Sequence, residues 1–208
     1  MTSEPAAEWR AVDLGVRRSL ELAHQTLLAG GLPVGAVLLD GAGEIVAEGR
    51  NRCYDPPGGD DPLQGTPLGH AELVALAGVS TARDLSAMAL WTSHRPCPMC
   101  AAACAFTGVG TVRFVAPDPS DPEGGADPDD VDHRWLVVAN LLFLTGIRAY
   151  VGPSAPMIAR ARFREPETVD LLDTTEPGTL RAGTLTEALA PIRHRIDAAA
   201  DRRRDRVG

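Results

Sequence analysis

The sequence predicts an α/β fold built on a mixed central sheet of about five strands. Three observations carry this. Apolar residues near the N-terminus recur at three- and four-residue steps, the spacing of a helix that lays one stripe on a sheet. Five short apolar runs bounded by glycine, proline and polar residues read as strands. Strand and helix patterns then alternate, which implies that part of the sheet is parallel.

Trp9, Val12, Val16, Leu20, Ala23 and Leu27 share one face of a helix spanning residues 6 to 29, ended by Gly30-Gly31. Val34 to Asp40 and Ile45 to Glu48 are strands joined across Gly41-Ala42-Gly43 as a hairpin. A loop rich in Pro, Gly and Asp follows from Cys53 to Gly69, and connections of that length are commonly functional or disordered. His70 to about Val79 suits a helix, Ala87 to Thr92 a strand, Cys97 to Thr107 a helix stopped by Gly108, and Thr111 to Ala116 another strand. Asp118 to Asp132 is rich in acids and holds no Lys or Arg, so it reads as a solvated loop. His133 to Leu144 looks like a helix ending before Gly146, and Pro156 to Asp173 another, split near Glu165-Pro166. Residues 179 to 184 are expected as a fifth strand. Leu185 to Arg204 is the closing helix, with Pro191 making its first turns irregular.

Composition bounds the function. With 208 residues and 44% hydrophobic content, the chain is long enough to bury a substantial core. Three of its four cysteines lie in one short segment, which suits a metal site under reducing conditions better than a disulfide framework. Met1-Thr2-Ser3-Glu4-Pro5 lacks the basic-then-apolar pattern of a secretory signal. The most apolar run, Leu136 to Leu144, is too short to span a bilayer, so a cytoplasmic protein without a membrane role is expected. Net charge is −8, and all 20 basic residues are arginine. Nucleic-acid binders carry a basic footprint. The only dense one here, Arg202-Arg203-Arg204-Asp205-Arg206, reads as a solvated terminus, and nucleic acid is not the expected partner.

Chemistry concentrates between His70 and Cys100. Gly69-His70-Ala71-Glu72 and Pro96-Cys97-Pro98-Met99-Cys100 supply one imidazole, two thiols and a carboxylate. Zn2+ takes imidazole nitrogen and thiolate sulfur in tetrahedral geometry, and a catalytic site uses three protein ligands and leaves the fourth position for water. His70, Cys97 and Cys100 are three such ligands. If Cys97 opens a helix, the spacing puts both sulfurs in its first turn, where partial positive charge favours thiolates, and Pro96 suits the entry. The same helical logic has the Ala71 N–H facing the metal's oxygen ligand. Glu72, two residues after His70, is better placed to move protons than to bind. A carboxylate beside an activated water accepts its proton and delivers it to a substrate nitrogen and a departing amine. That combination describes hydrolytic deamination.

A lone Cys-x-x-Cys also fits a structural zinc knuckle or a redox pair, but a structural site would close with a fourth ligand and has no use for Glu72. Cys104, one turn after Cys100, either reaches the metal or packs as a small core residue. Cys53 has no assigned role.

His-x-Glu followed by Pro-Cys-x-x-Cys resembles the signature of the zinc nucleobase deaminases. The likeness runs from about residue 8 to 116, and again in the closing helix. Leu32-Pro33-Val34-Gly35-Ala36-Val37 resembles that superfamily's first strand, which borders the pocket, and Gly49-Arg50-Asn51-Arg52 resembles the end of its second, whose Asn contacts substrate. Met99 inside the Cys pair is typical of the purine-acting arm, which includes guanine deaminases and tRNA adenosine deaminases. The resemblance implies a three-layer α/β/α cytidine-deaminase-like fold, a Zn2+ cofactor, Glu72 as proton shuttle, substrate contacts from Asn51, Ala71 and Val34, and a homodimer or larger assembly. It also implies one deaminase domain over residues 1–208, with core motifs in 1–116, an acidic loop and helical insertion in 117–178, and a last strand and closing helix in 179–208.

Three departures stand out. The 53–69 loop is longer than usual, residues 117–178 look inserted, and Arg95 occupies a position where the purine-acting arm has Glu. His133 and Trp135, within the insertion, are candidates to lie over the pocket, though core packing is the plainer fate of Trp135. The expected function is deamination of a small nucleobase or nucleoside, purines favoured, with release of ammonia. A tRNA adenosine deaminase is the runner-up. A non-catalytic zinc-stabilised binding subunit is the other alternative, and Glu72 argues against it.

Overall fold

The computed structural model describes residues 12–119, 126–128 and 130–208, so the predicted first turns of the N-terminal helix, with Trp9, and part of the acidic loop lie outside the described residues. Helix α1 (Leu14–Leu28) starts at Asp13, whose side chain accepts the Gly15 N–H, so Val12 and Asp13 stand outside the helix that was expected to run unbroken from residue 6. Such a cap satisfies one of the donors that a helix start leaves open. Strands β1 (Gly35–Leu39) and β2 (Ile45–Arg50) form the expected antiparallel hairpin. Asp40 Oδ1 organises its turn by accepting from the N–H groups of Ala42 and Glu44. Then come α2 (Ala71–Ala77), β3 (Ala89–His94), α3 (Pro98–Thr107) and β4 (Thr111–Ala116).

Among the described residues the sheet has four strands in the order β2-β1-β3-β4, with β1 antiparallel to β2 and β3, and β3 parallel to β4. The mixed sheet is as expected; the fifth strand is not. Residues 179–181 form a single 3-10 turn instead. Only Leu180 there is buried, and its carbonyl accepts from the His24 ring of α1 (2.9 Å). One anchoring side chain cannot impose the two-residue period of a strand.

Helices layer both faces. On one, α1 and the later helices α4 (His133–Val151), α5 (Pro156–Arg164), α6 (Pro166–Asp173), α7 (Leu185–Leu189) and α8 (Arg193–Val207) share a continuous core with Val37, Leu39, Trp91 and Val115 of the sheet. On the other, Ala71 and Ala75 of α2 and Cys104 of α3 pack on Ala36, Leu38 and Leu90. The alternation along β1 and β3 sends successive side chains to opposite layers.

The chain breaks at Glu165 between α5 and α6, and a 3-10 turn at Ala190–Ile192 carries Pro191 between α7 and α8. Helix α4 overruns its predicted end. Gly146 lies inside it because a Cβ there would stand 2.2 Å from Pro33 Cδ, so the missing side chain permits close approach to the start of β1. By length and composition α4 could cross a membrane (mean hydropathy 1.3), yet 67% of that stretch is buried inside the molecule, as befits a core helix. Trp135 is half-buried against the same core.

In the terminal arginine cluster, Arg202, Arg204 and Arg206 are exposed as expected, and Arg203 alone departs from that reading. Arg203 is buried in α8 and bonds Glu165 (2.6 and 2.7 Å), Asp127 (2.8 and 3.0 Å) and His133 Nδ1 (3.1 Å), while Arg206 pairs with Glu167. A guanidinium with five fixed donors is suited to such a hub. The Arg203 charge is neutralised inside the fold, and that of Arg206 on its surface by Glu167.

Candidate metal centre and active site

His70 and Cys97 are the N-cap residues of α2 and α3, both in extended conformation, and Cys100 lies in the first turn of α3. The helix begins one residue later than expected, with Pro98 rather than Pro96 at its entry, where proline's missing N–H costs nothing. Gly108, in the left-handed conformation (φ 76°), ends it as predicted. Two helix N-termini thus converge on one point, each presenting a ligand.

The donor atoms form a nearly equilateral triangle. Cys97 Sγ lies 3.7 Å from His70 Nδ1, Cys100 Sγ lies 3.6 Å from it, and the two sulfurs are 3.6 Å apart. Zinc bond lengths in tetrahedral geometry demand edges of about 3.6 to 3.8 Å. The residues present therefore fit Zn2+. Among the described residues this is the group that could hold a metal, and Cys104 is not part of it. Cys104 is buried with α2 against the sheet.

Glu72 stands in the first turn of α2, 3% exposed, with Oε1 accepting from Thr92 Oγ1 at 3.2 Å. Burial pushes its carboxyl above the ordinary carboxylate range, against smaller opposing pulls from hydrogen bonds and from His70. Burial, Glu72 and Cys97 likewise push the Cys100 thiol up. A cation among these groups would reverse that cost, since it stabilises the thiolate outright.

A family model for the cytidine and deoxycytidylate deaminase zinc-binding region matches residues 13–116, half of the chain. The chain belongs to this deaminase family. The tRNA-specific adenosine deaminase of Haemophilus influenzae is 35% identical over 107 residues, which cover 50% of this chain and 57% of that protein. Guanine deaminase of Bacillus subtilis is 34% identical over 117 residues, covering 54% of this chain and 69% of that protein. A solved structure of guanine deaminase from Bacillus subtilis matches with a TM-score of 0.41 at 30% identity, over 48% of this chain and 60% of that one. The chain spans only 19% to 57% of the length of several curated relatives that it matches.

The deaminase-family motifs sit at one end of the sheet with the other candidate residues. Asn51 is buried just after β2. Its N–H donates to the Val34 carbonyl (2.8 Å), and its Oδ1 accepts the Cys53 N–H (3.1 Å). Ala71, fully buried, opens α2 between His70 and Glu72. The 53–69 loop is ordered by arginines. Arg50 and Arg52 both bond Asp55, Arg52 also reaches Asp61 (3.0 Å) and Gln64, and the Gly69 carbonyl accepts the Arg52 N–H (2.7 Å). This stapling fixes the approach to His70. Tyr54 of the loop also stacks on Tyr150 of α4, centroids 4.7 Å apart.

Sequence reasoning missed two buried polar groups that lie close to these residues. Thr92, the partner of Glu72, had an available signal, since it is a polar residue on the buried strand that leads to the cysteines. The second, a buried group at His94 and Asn140, had none, because it joins residues far apart in sequence.

Proposed function

We propose that this chain, acting as one domain, catalyses zinc-dependent hydrolytic deamination of a small nucleobase or nucleoside, with purines such as guanine, guanosine, adenine or adenosine favoured. The observation that carries this reading is the buried Glu72 carboxyl beside an open three-ligand set. A purely structural metal site needs a fourth protein ligand and no such carboxylate. His70, Cys97 and Cys100 would hold Zn2+, which when bound supplies Lewis acidity that lowers the pKa of a water toward neutrality. Glu72 takes one proton from the attacking water and gives it to the ring nitrogen, then takes the second from the new hydroxyl on the ring carbon and gives it to the departing amine. The new C–O bond forms at the amine-bearing ring carbon, the C–N bond breaks, and ammonia leaves. Thr92 holds the Glu72 carboxyl for both transfers, while Asn51, the Ala71 N–H and the Val34 strand orient the ring. The likeness to guanine deaminase supports the purine preference. Thiol ligands suit a cytoplasmic, reducing setting.

Ammonia release across a panel of purine and pyrimidine bases and nucleosides tests the proposal. Glu72→Gln should keep one zinc per chain and lose about 10²- to 10⁴-fold in kcat; substantial turnover by that variant would remove Glu72 from its role.

A second reading, adenosine deamination in tRNA, is favoured by the 35% identity to the tRNA-specific adenosine deaminase. The net charge of −8 and the intramolecular pairing of Arg203 and Arg206 weigh against it. Salt-sensitive binding of an anticodon stem-loop would restore it.

We also infer a homodimer with α3 at its interface. This helix is apolar almost throughout, yet only Cys100 and Cys104 are buried, and Phe106 is 93% exposed.

A further inference from the structure

We propose that His94 is a positioning residue for the metal site, held by Asn140 of α4, so that a helix outside the family region preorganises the turn that carries Cys97. The proposal rests on reading His70, Cys97 and Cys100 as the metal triad.

His94 ends β3, and only Arg95 and Pro96 separate it from Cys97. Its ring is 4% exposed and held on several sides. Ser93 Oγ accepts the Gly35 N–H (3.2 Å) and turns its own proton toward His94 Nδ1 (3.3 Å). The Nε2–H then donates to Asn140 Oδ1 (3.3 Å), and Phe143 lies tilted against the ring with centroids 4.8 Å apart. Burial lowers the imidazole pKa to about 4, against a smaller pull from Asp118, so the ring carries the single proton that this pattern requires. On the other side of the turn, the Arg95 N–H donates to the Ala116 carbonyl of β4 (2.9 Å), and the Arg95 guanidinium lies 4.7 Å over the Phe114 ring. The short link from sheet to ligand is thus pinned by α4 and by β4.

Asn140 is costly where it stands. It is the one amide in the apolar run Leu136 to Leu144, it is 0% exposed, and its Nδ2 has no hydrogen-bond partner among the described residues. Buried polar groups without partners are rare in native structures and call for a reason. Leucine would pack there without that cost. What leucine cannot supply is the acceptor for His94, and through His94 a fixed exit for the chain toward Cys97. Groups outside the ligand set typically change metal affinity 10- to 100-fold, because ligands held near their final geometry have less freedom to lose.

The test measures zinc affinity of the full chain by competition with a chromophoric chelator, together with the cobalt-thiolate absorption of the Co2+ form. Asn140→Leu and His94→Leu should each weaken zinc about tenfold and alter the cobalt spectrum. His94→Gln, whose amide N–H reaches the place of Nε2–H, should retain near wild-type affinity. Wild-type affinity in both leucine variants, with only the melting temperature changed, would reduce the pair to core packing and overturn the proposal. Equal loss in His94→Leu and His94→Gln would overturn the hydrogen bond as its basis. A wild-type chain whose zinc binding does not depend on Cys97 and Cys100 would overturn the metal-centre reading, and this proposal with it.

Discussion

The two faces of the sheet are built differently. The face that carries α1 and α4 to α8 has a continuous core of leucine, isoleucine, valine and phenylalanine. The face that carries α2 and α3 has a small one, made largely of alanines, Leu38, Leu85, Leu90, Met88 and Cys104. Apolar burial contributes roughly 25 cal/mol per Å2, so most of the hydrophobic stabilisation belongs to the first face. The second face gives up large side chains, and this lets two helix N-termini approach the sheet closely enough to bring His70, Cys97 and Cys100 together. Cohesion sits on one side and the proposed metal site on the other, where a bound metal would supply what the thin side lacks.

Metal removal is the sharpest way to break this comparison. Zinc at about 1,000 times its Kd would add about 4 kcal/mol, because it binds the folded state alone. For a chain of this size that corresponds to a fall of about 10 °C in melting temperature on chelation. Hydrogen exchange should show the loss concentrated in α2 and α3, while the amides of α4 stay protected up to global unfolding. Equal loss on both faces would mean that the two layers form one cooperative unit and that the distinction has no energetic content.

A smaller effect probes the thick side. Leu141 is fully buried in α4, and Leu141→Ala should cost about 3 kcal/mol by lost transfer energy and an unfilled cavity. Zinc affinity of the folded fraction should not change, since Leu141 belongs to a core cluster to which neither ligand helix contributes a residue. Denaturant unfolding paired with zinc titration checks both halves; weakened zinc binding would show that the core of the thick face reaches the metal site diffusely rather than through Asn140.

What was legible in the sequence follows the same division. The strands and ligand helices of residues 35–116 were found with boundaries within a few residues, because the period of apolar residues and the glycine stops are local signals, whereas the N-terminal helix, expected from residue 6, starts only after the Asp13 cap. The ligand triad and Glu72 were legible because metal chemistry demands particular residue types at short spacing. Misreadings came where tertiary contacts decide. Residues 179–181 form a turn because Leu180 is captured by the core and by His24. Gly146 continues α4 because Pro33 passes close by, and Arg203 is buried because two acids from distant segments meet it. The His94–Asn140 pair spans 46 residues, and no local pattern announces a partner at that distance.

The smallest expected change in monomer stability tests whether the thin face is completed by a second copy. Phe106 projects from α3, 93% exposed, beside exposed Met99, Ala102 and Ala105. A phenylalanine in water contributes nothing to the monomer's core, so Phe106→Asp should shift chain stability by no more than about 0.5 kcal/mol. In a two-fold interface each copy meets the same patch, so one substitution places two like charges in an apolar contact. Sedimentation should then show a dimer for the wild-type chain and a monomer for Phe106→Asp, with zinc content unchanged. A wild-type monomer would leave the apolar face of α3 uncovered by its own kind, and the small core of that side would then owe its cohesion to the metal alone.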